Sequence, residues 1–207
     1  MTTLQFTVFI VDDDAGVLKA LSRLVEASGY ASKTFGCARD FLLDHDPEAP
    51  GCLILDMSMP EIDGLQLQAS LAAGGIDRPI VFVTGRSDLQ KIVAAMKGGA
   101  IDFLAKPVKA PELLAAISRA AEQDAERRQS INELSAITAR AALLTPRERE
   151  VMEHVVAGRL NKQIAGDLGT VEKTIKVHRG RMMAKMGVRT VAELVRITEH
   201  IGVWPSH

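Results

Sequence analysis

Cysteine is nearly absent from this chain. Cys37 and Cys52 are two thiols in 207 residues, too few for a disulfide framework and without metal-ligand spacing. A reducing cytoplasm is therefore the expected compartment. Long apolar runs are missing as well. The longest, Val8 to Val11 and Ile80 to Val83, fall far short of the roughly 20 residues that a membrane span requires. Met1 to Phe6 carry no basic patch ahead of a long apolar core, so neither a secretory signal nor a membrane partner is expected. What the chain does not lack is apolar material. Apolar residues at 47% and charged residues at 25% are globular proportions and exclude intrinsic disorder. A length of 207 residues suits two modest domains.

Charge is unevenly spread. Residues 1–122 hold 11 Lys and Arg against 16 Asp and Glu, a balance of −5, whereas residues 141–207 hold 11 against 7, a balance of +4. An acidic front and a basic rear suit different partners, with a polyanion expected at the rear.

Short apolar runs punctuate residues 1–122 at Val8–Val11, Ala31–Phe35, Cys52–Leu55, Ile80–Val83 and Asp102–Ala105. Three are nearly continuous in Val, Ile, Leu and Phe, as parallel strands buried on both faces require. Between them, Val17-Leu21-Leu24-Val25, Leu65-Leu67-Leu71, Leu89-Ile92-Val93-Met96 and Leu113-Leu114-Ile117 repeat at helical spacing. Regular alternation predicts an α/β, flavodoxin-like (βα)5 domain whose ligands sit at the carboxyl ends of the strands. Met57, Met59 and Met96 read as core filler.

After Pro111 neither Gly nor Pro occurs up to Ala142. Good helix formers predominate there, so the fifth helix is predicted to run on into a helical linker over 123–142. Ile131, Leu134, Ile137 and Ala141 form an apolar stripe along it. An all-α domain follows over 143–207. Thr145, Pro146 and Glu148 compose a capping box with a proline start. Four helices over 146–157, 161–168, 171–186 and 190–201 are set apart by Gly158, Gly169-Thr170 and Gly187.

The strand tips carry the chemistry. Strand one runs into Asp12-Asp13-Asp14, strand three ends at Asp56, strand four at Thr84 and strand five at Lys106-Pro107. A parallel sheet opens all these tips on one edge. Crowded carboxylates repel unless a cation lies between them, and oxygen ligands with room for water suit Mg²⁺. A carboxylate beside that metal is a nucleophile toward a phosphoryl donor, with the lysine and threonine placed to stabilise the charge on phosphoryl oxygens. The same aspartates could also N-cap the helix that follows.

Asp12-Asp13, Asp56, Met59-Pro60, Asp63-Gly64, Thr84-Gly85 and Lys106-Pro107, at these separations, resemble a response-regulator receiver domain. The resemblance implies that Asp56 accepts the phosphoryl group from a sensor histidine kinase. It implies that Asp13, Asp56 and the backbone carbonyl of Ser58 ligate Mg²⁺, with Asp12 supporting the metal's waters. Thr84 and Lys106 would grip the phosphoryl group, and Phe103 would be an aromatic switch that turns inward when Thr84 moves. Ser58 and Arg86, two past the acceptor and two past the threonine, would tune phosphoryl lifetime. Arg86 stands where related regulators often carry His, and it is expected to shield the phosphoryl group.

Asn161 to Ala165 through Gly169, then Val171 to His178, have helix-turn-helix spacing. Lys173, Lys176, Arg179, Arg181 and Lys185 put positive charge along the second helix. Ile175, Met182 and Met186 form its buried stripe, leaving Lys173, Lys176, Val177 and Gly180 free to meet DNA. The segment resembles a LuxR-type output domain, and with the receiver it resembles the NarL/FixJ class of transcriptional regulators. That resemblance implies base contacts from Lys176 and Val177 and phosphate contacts from Lys162, Lys173, Thr174 and Arg181. Gly180 departs from the usual larger polar residue. His154, His178 and His200 read as surface or packing residues.

The sequence therefore predicts a non-enzymatic, phosphorylation-gated regulator of double-stranded DNA that is a homodimer when phosphorylated, with RNA polymerase as a further partner. Three alternatives remain at this point. One is a haloacid-dehalogenase-like phosphatase, suggested by the D-x-D start at Asp12. Another is a constitutive DNA binder with a degenerate receiver, and the third is a four-helix module that binds protein.

Overall fold

The computed structural model describes residues 6–85 and 89–200. The chain divides into two compact units, Met1–Arg127 and Arg128–His207. In the first, β1 (Thr7–Val11) is followed by α1 (Ala15–Ala27), β2 (Ala31–Phe35), α2 (Ala38–Asp44) and β3 (Gly51–Asp56). Then come α3 (Gly64–Ala73), β4 (Ile80–Thr84), α4 (Leu89–Lys97) and β5 (Asp102–Ala105). Neighbouring strands pair in parallel in the order β2-β1-β3-β4-β5, the flavodoxin-like arrangement.

Successive residues of a strand face opposite sides of the sheet, and the apolar runs supply both sides. Phe9 and Val11 join Phe41, Leu67, Leu71 and Phe82 on one side. Val8 and Ile10 join Leu21, Val25, Leu113 and Ile117 on the other. Met57 and Met59 are buried as expected, but Met96 is 43% exposed. Met96 belongs to the surface of α4, because Ile92 and Ala95 already fill that helix's inward face.

The long helix α5 runs unbroken from Ala110 to Ala142, since no Gly or Pro after Pro111 interrupts its hydrogen-bond ladder. Its first turns bury Leu113, Ala116, Ile117 and Ala120 on the sheet. Next comes Asp124, whose buried carboxylate accepts the Gly51 N–H at 3.2 Å and pairs with Arg127 at 2.8 Å. Gln129 to Ala136 are exposed, including Ile131 and Leu134 of the apolar stripe, while Ile137 and Ala141 pack into the second unit's core. The boundaries expected at 122 and 142 fall inside this one helix and at its end.

The second unit adds α6 (Pro146–Val156), α7 (Asn161–Asp167), α8 (Glu172–Met186) and α9 (Val191–His200). The capping box at its start is formed: Thr145 Oγ1 accepts the Glu148 N–H, and Glu148 Oε2 accepts the Thr145 N–H at 2.9 Å. Ile175, Met182 and Met186 are fully buried with Val151, Met152, Ile164 and Leu194. Gly187 takes a left-handed φ of 70° to end α8, a conformation that a side chain disfavours.

Candidate functional site

Strand register assembles the first site. Val11 pairs with Leu55, Asp56 with Val83, and Thr84 with Ala105. The residues one step further on, Asp12 and Lys106, therefore flank Asp56 at the same sheet edge. The Thr84 carbonyl accepts the Lys106 N–H at 2.8 Å, which prolongs the ladder past β5 and fixes where the lysine leaves it. Asp12, Asp56 and Thr84 are 1%, 5% and 5% exposed.

Lys106 is the centre of this group. Its Nζ lies 2.6 Å from Asp12 Oδ2 and 2.6 Å from Asp56 Oδ1. The remaining carboxylate oxygens are taken by backbone: Asp12 Oδ1 accepts the Asp14 N–H at 2.9 Å, and Asp56 Oδ2 accepts the Ser58 N–H at 2.7 Å. Burial holds the Asp12 carboxyl above its ordinary range, partly countered by the Lys106 hydrogen bond. Burial pulls the Lys106 ammonium down, but hydrogen bonds to Asp12 and Asp56 outweigh it and leave the pKa raised. The first shift is the cost of burying a carboxylate, and the second is the effect of two carboxylates bonded to one ammonium.

Asp13 is exposed and follows the buried Asp12 directly in the chain. Asp14 turns away, since its carboxylate accepts the Gly16 and Val17 N–H groups at 2.7 and 3.3 Å and caps α1. The structure thus takes one aspartate of the triplet for helix capping. Among the described residues no three acidic, imidazole or thiol groups form a ready metal cluster; Lys106 stands between Asp12 and Asp56 instead. The donor chemistry still fits a hard divalent cation, because the buried oxygens are carboxylates and Asp13, next in the chain, is exposed. Phe103 lies on β5 and is 41% exposed. Arg86 lies outside the described residues.

Gly64 explains part of the motif that spacing alone left unexplained. A Cβ there would stand 2.4 Å from the Asp56 carbonyl oxygen and 2.9 Å from the Phe82 ring. Asp63 caps α3 through Gln66, and the glycine lets that helix start pass against the end of β3.

The second site is the exposed side of α8. Lys173, Lys176, Val177, Gly180 and Arg181 are exposed, Thr174 is half-buried, and Lys162 is exposed on α7. Two of the expected surface charges are engaged within the fold. Lys185 Nζ lies 2.6 Å from Glu148 Oε2 and donates to the Leu143 carbonyl at 3.1 Å. Arg179 donates to Asn161 Oδ1 at 2.9 Å, joining α8 to the start of α7. Charge counting could not separate them from the exposed lysines of α8, because their partners are far away in sequence. Lys176 keeps an exposed pairing with Glu172 at 3.1 Å. His154 lies 3.8 Å from Asp167 and His178 is half-buried; the His200 side chain is outside the described residues.

Comparison with known proteins agrees with this geometry. A family model for the response regulator receiver domain matches residues 8–118, and one for bacterial regulatory proteins of the luxR family matches residues 142–198. Nodulation protein W of Bradyrhizobium diazoefficiens is 40% identical over 200 residues, covering 97% of this chain and 88% of that protein. The transcriptional regulatory protein FixJ of Rhizobium meliloti is 37% identical over 202 residues, covering 98% and 99%. The solved structure of the response regulator StyR is similar with a TM-score of 0.86 and 44% identity, covering 94% of this chain and 98% of that one.

The chain belongs to the response regulators, with a receiver domain followed by a LuxR-type DNA-binding domain. That pairing places it in the NarL/FixJ class. Membership sets aside the phosphatase alternative. No described helix is long and apolar enough to cross a membrane.

Proposed function

We propose that this protein is a phosphorylation-controlled, sequence-specific transcriptional regulator acting in the cytoplasm. Its partners are a sensor histidine kinase, double-stranded DNA, a second copy of itself and RNA polymerase. The observation that carries the reading is the Lys106 ammonium 2.6 Å from both Asp12 and Asp56. It puts a positive charge where a phosphoryl group on Asp56 must rest.

In this reading an Asp56 carboxylate oxygen attacks phosphorus, an O–P bond forms, and the N–P bond of the kinase phosphohistidine breaks with its electron pair leaving on nitrogen. Asp12, Asp13, Asp56 and the Ser58 carbonyl would hold Mg²⁺, which supplies charge neutralisation for the phosphoryl oxygens. Lys106 exchanges a carboxylate partner for a phosphoryl oxygen, and the Thr84 hydroxyl takes another. A phosphoryl group brings a charge of about −1.5 to −2. Phe103, partly exposed on β5, turns inward as Thr84 moves. Slow hydrolysis of the acyl phosphate returns the domain to its resting state.

DNA binding follows from α8. Its exposed Lys176 and Val177 face base edges, while Lys162, Lys173, Thr174 and Arg181 hold phosphates. A dimer matches the two-fold logic of operators read by helix-turn-helix proteins, and phosphorylation acts by favouring the dimer population.

Incubation with Mg²⁺ and acetyl phosphate, followed by intact mass measurement and gel shift, tests this reading. One phosphoryl per chain is expected, none in Asp56→Asn, with DNA affinity rising only in the phosphorylated protein. Equal affinity of both proteins under phosphodonor would defeat gating. Labelling of Asp56→Asn would defeat the acceptor assignment.

A further inference from the structure

The first residue of α8 carries a charge of the wrong sign for a surface that meets a polyanion. Glu172 is exposed, and its Oε1 lies 3.1 Å from Lys176 Nζ one turn later. Glutamate four residues before lysine is the favourable order for a helical ion pair, yet both side chains stay largely in water, where such a pair adds little stability. The pair occupies the same exposed side as Lys173 and Val177. Val171, which precedes the helix, makes no side-chain cap, and Glu172 is the acidic residue of the first turn.

We propose that Glu172 is a specificity-determining residue that reads DNA jointly with Lys176. This deepens the DNA-binding reading given above and rests on it. A carboxylate carried into the major groove is repelled by phosphates unless a base edge donates a hydrogen bond to it. The edge that suits glutamate is the cytosine N4 amine, and the edge that suits lysine is guanine O6 and N7. One G·C pair offers the amine and O6 side by side. The preformed ion pair presents an acceptor and a donor 3.1 Å apart. A T·A pair offers adenine N6 beside thymine O4 in the same order, but a methyl group stands where guanine has N7, so the ammonium loses one of its two acceptors.

Gly180 sharpens the assignment. No atom lies within 4 Å of where its Cβ would be, so the position one turn beyond Lys176 contributes no side chain to the groove. Discrimination is left to the amino-terminal half of α8, where Glu172, Lys176 and Val177 stand.

The test is selection of bound duplexes from a random-sequence pool by the full chain treated with acetyl phosphate. Wild type, Glu172→Gln and Lys173→Gln are compared, each checked for unchanged thermal unfolding. The wild-type motif is expected to contain a G·C position at which Glu172→Gln loses about tenfold discrimination, other positions holding, while its binding to unrelated duplex rises. Lys173→Gln should weaken all sequences evenly. A Glu172→Gln motif identical to wild type, or a uniform change across all sequences, overturns the assignment. A wild-type pool with no shared motif defeats the DNA-binding reading itself, and this inference with it.

Discussion

The guanidinium of Arg140, near the end of α5, donates to the carbonyl oxygen of Met186, the last residue of α8, at 3.4 Å. The same guanidinium lies over Gly187, where a Cβ would meet its Nη1 at 3.1 Å. A cation at a helix carboxyl end meets unpaired carbonyls and the negative pole of the helix dipole. Arg149 adds a bond to the Ala141 carbonyl at 3.2 Å, and Arg147 one to the Leu168 carbonyl at 2.7 Å. The last turn of α5 is thereby part of the DNA-binding unit.

Arg140→Ala should lower stability by about 1 kcal/mol, the net worth of one hydrogen bond at a helix end. Urea denaturation followed by signals of the second unit checks it. A loss below a few tenths would show that the contact is idle.

Glu148 yields a pH prediction. Its carboxyl is held down from an ordinary 4.5 to about 2, first by the Lys185 hydrogen bond and then by the Thr145 N–H. A folded-state pKa below the unfolded one gives stability that is complete above the unfolded value and disappears as pH falls through the folded value. The contribution is therefore lost between about pH 4.5 and pH 2. Carboxyl carbon NMR should place the Glu148 midpoint near the bottom of that window, and Lys185→Met should move it up. A midpoint near 4.5 in the native chain would refute the arrangement.

Gly64→Ala should destabilise the receiver by about 1–3 kcal/mol through overpacking and reduce labelling of Asp56. The clash is with backbone, the Asp56 carbonyl, so rotamer adjustment gives no relief. Denaturant midpoints and phosphoryl incorporation report the two effects separately.

Lys106→Met leaves two buried carboxylates without their shared counter-charge, a loss of about 1.5–3 kcal/mol at neutral pH. Asp12 is already raised, and the variant should raise it further. A raised folded pKa stabilises below the unfolded value and ceases to do so as pH climbs through the folded one. The variant should therefore recover ground relative to wild type as pH falls toward 4. A deficit that does not vary with pH would contradict the ion-pair geometry.

Strand positions and the acidic pocket were legible because their signals are local: Val- and Ile-rich runs ending on Asp12, Asp56, Thr84 and Lys106. Parallel register does the rest, since it aligns tips without further instruction. Capping at Thr145 and Glu148 was equally local. The inward roles of Arg140, Arg179 and Lys185 were not, because a surface lysine and a buried-pair lysine look alike until the fold supplies a partner 37 residues away. Met96 misled for a related reason. Its helical spacing matches Ile92, but α4 is short and only one narrow side of it meets the sheet.

Strand β3 has six residues. Asp56 is its last, and the N–H of its first, Gly51, is gripped by Asp124 of α5. The Asp56 carboxylate and α5 thus share one fully buried segment paired to neighbours on both sides. The expected acceptor and the helix that leaves the sheet are tied to the two ends of one six-residue strand.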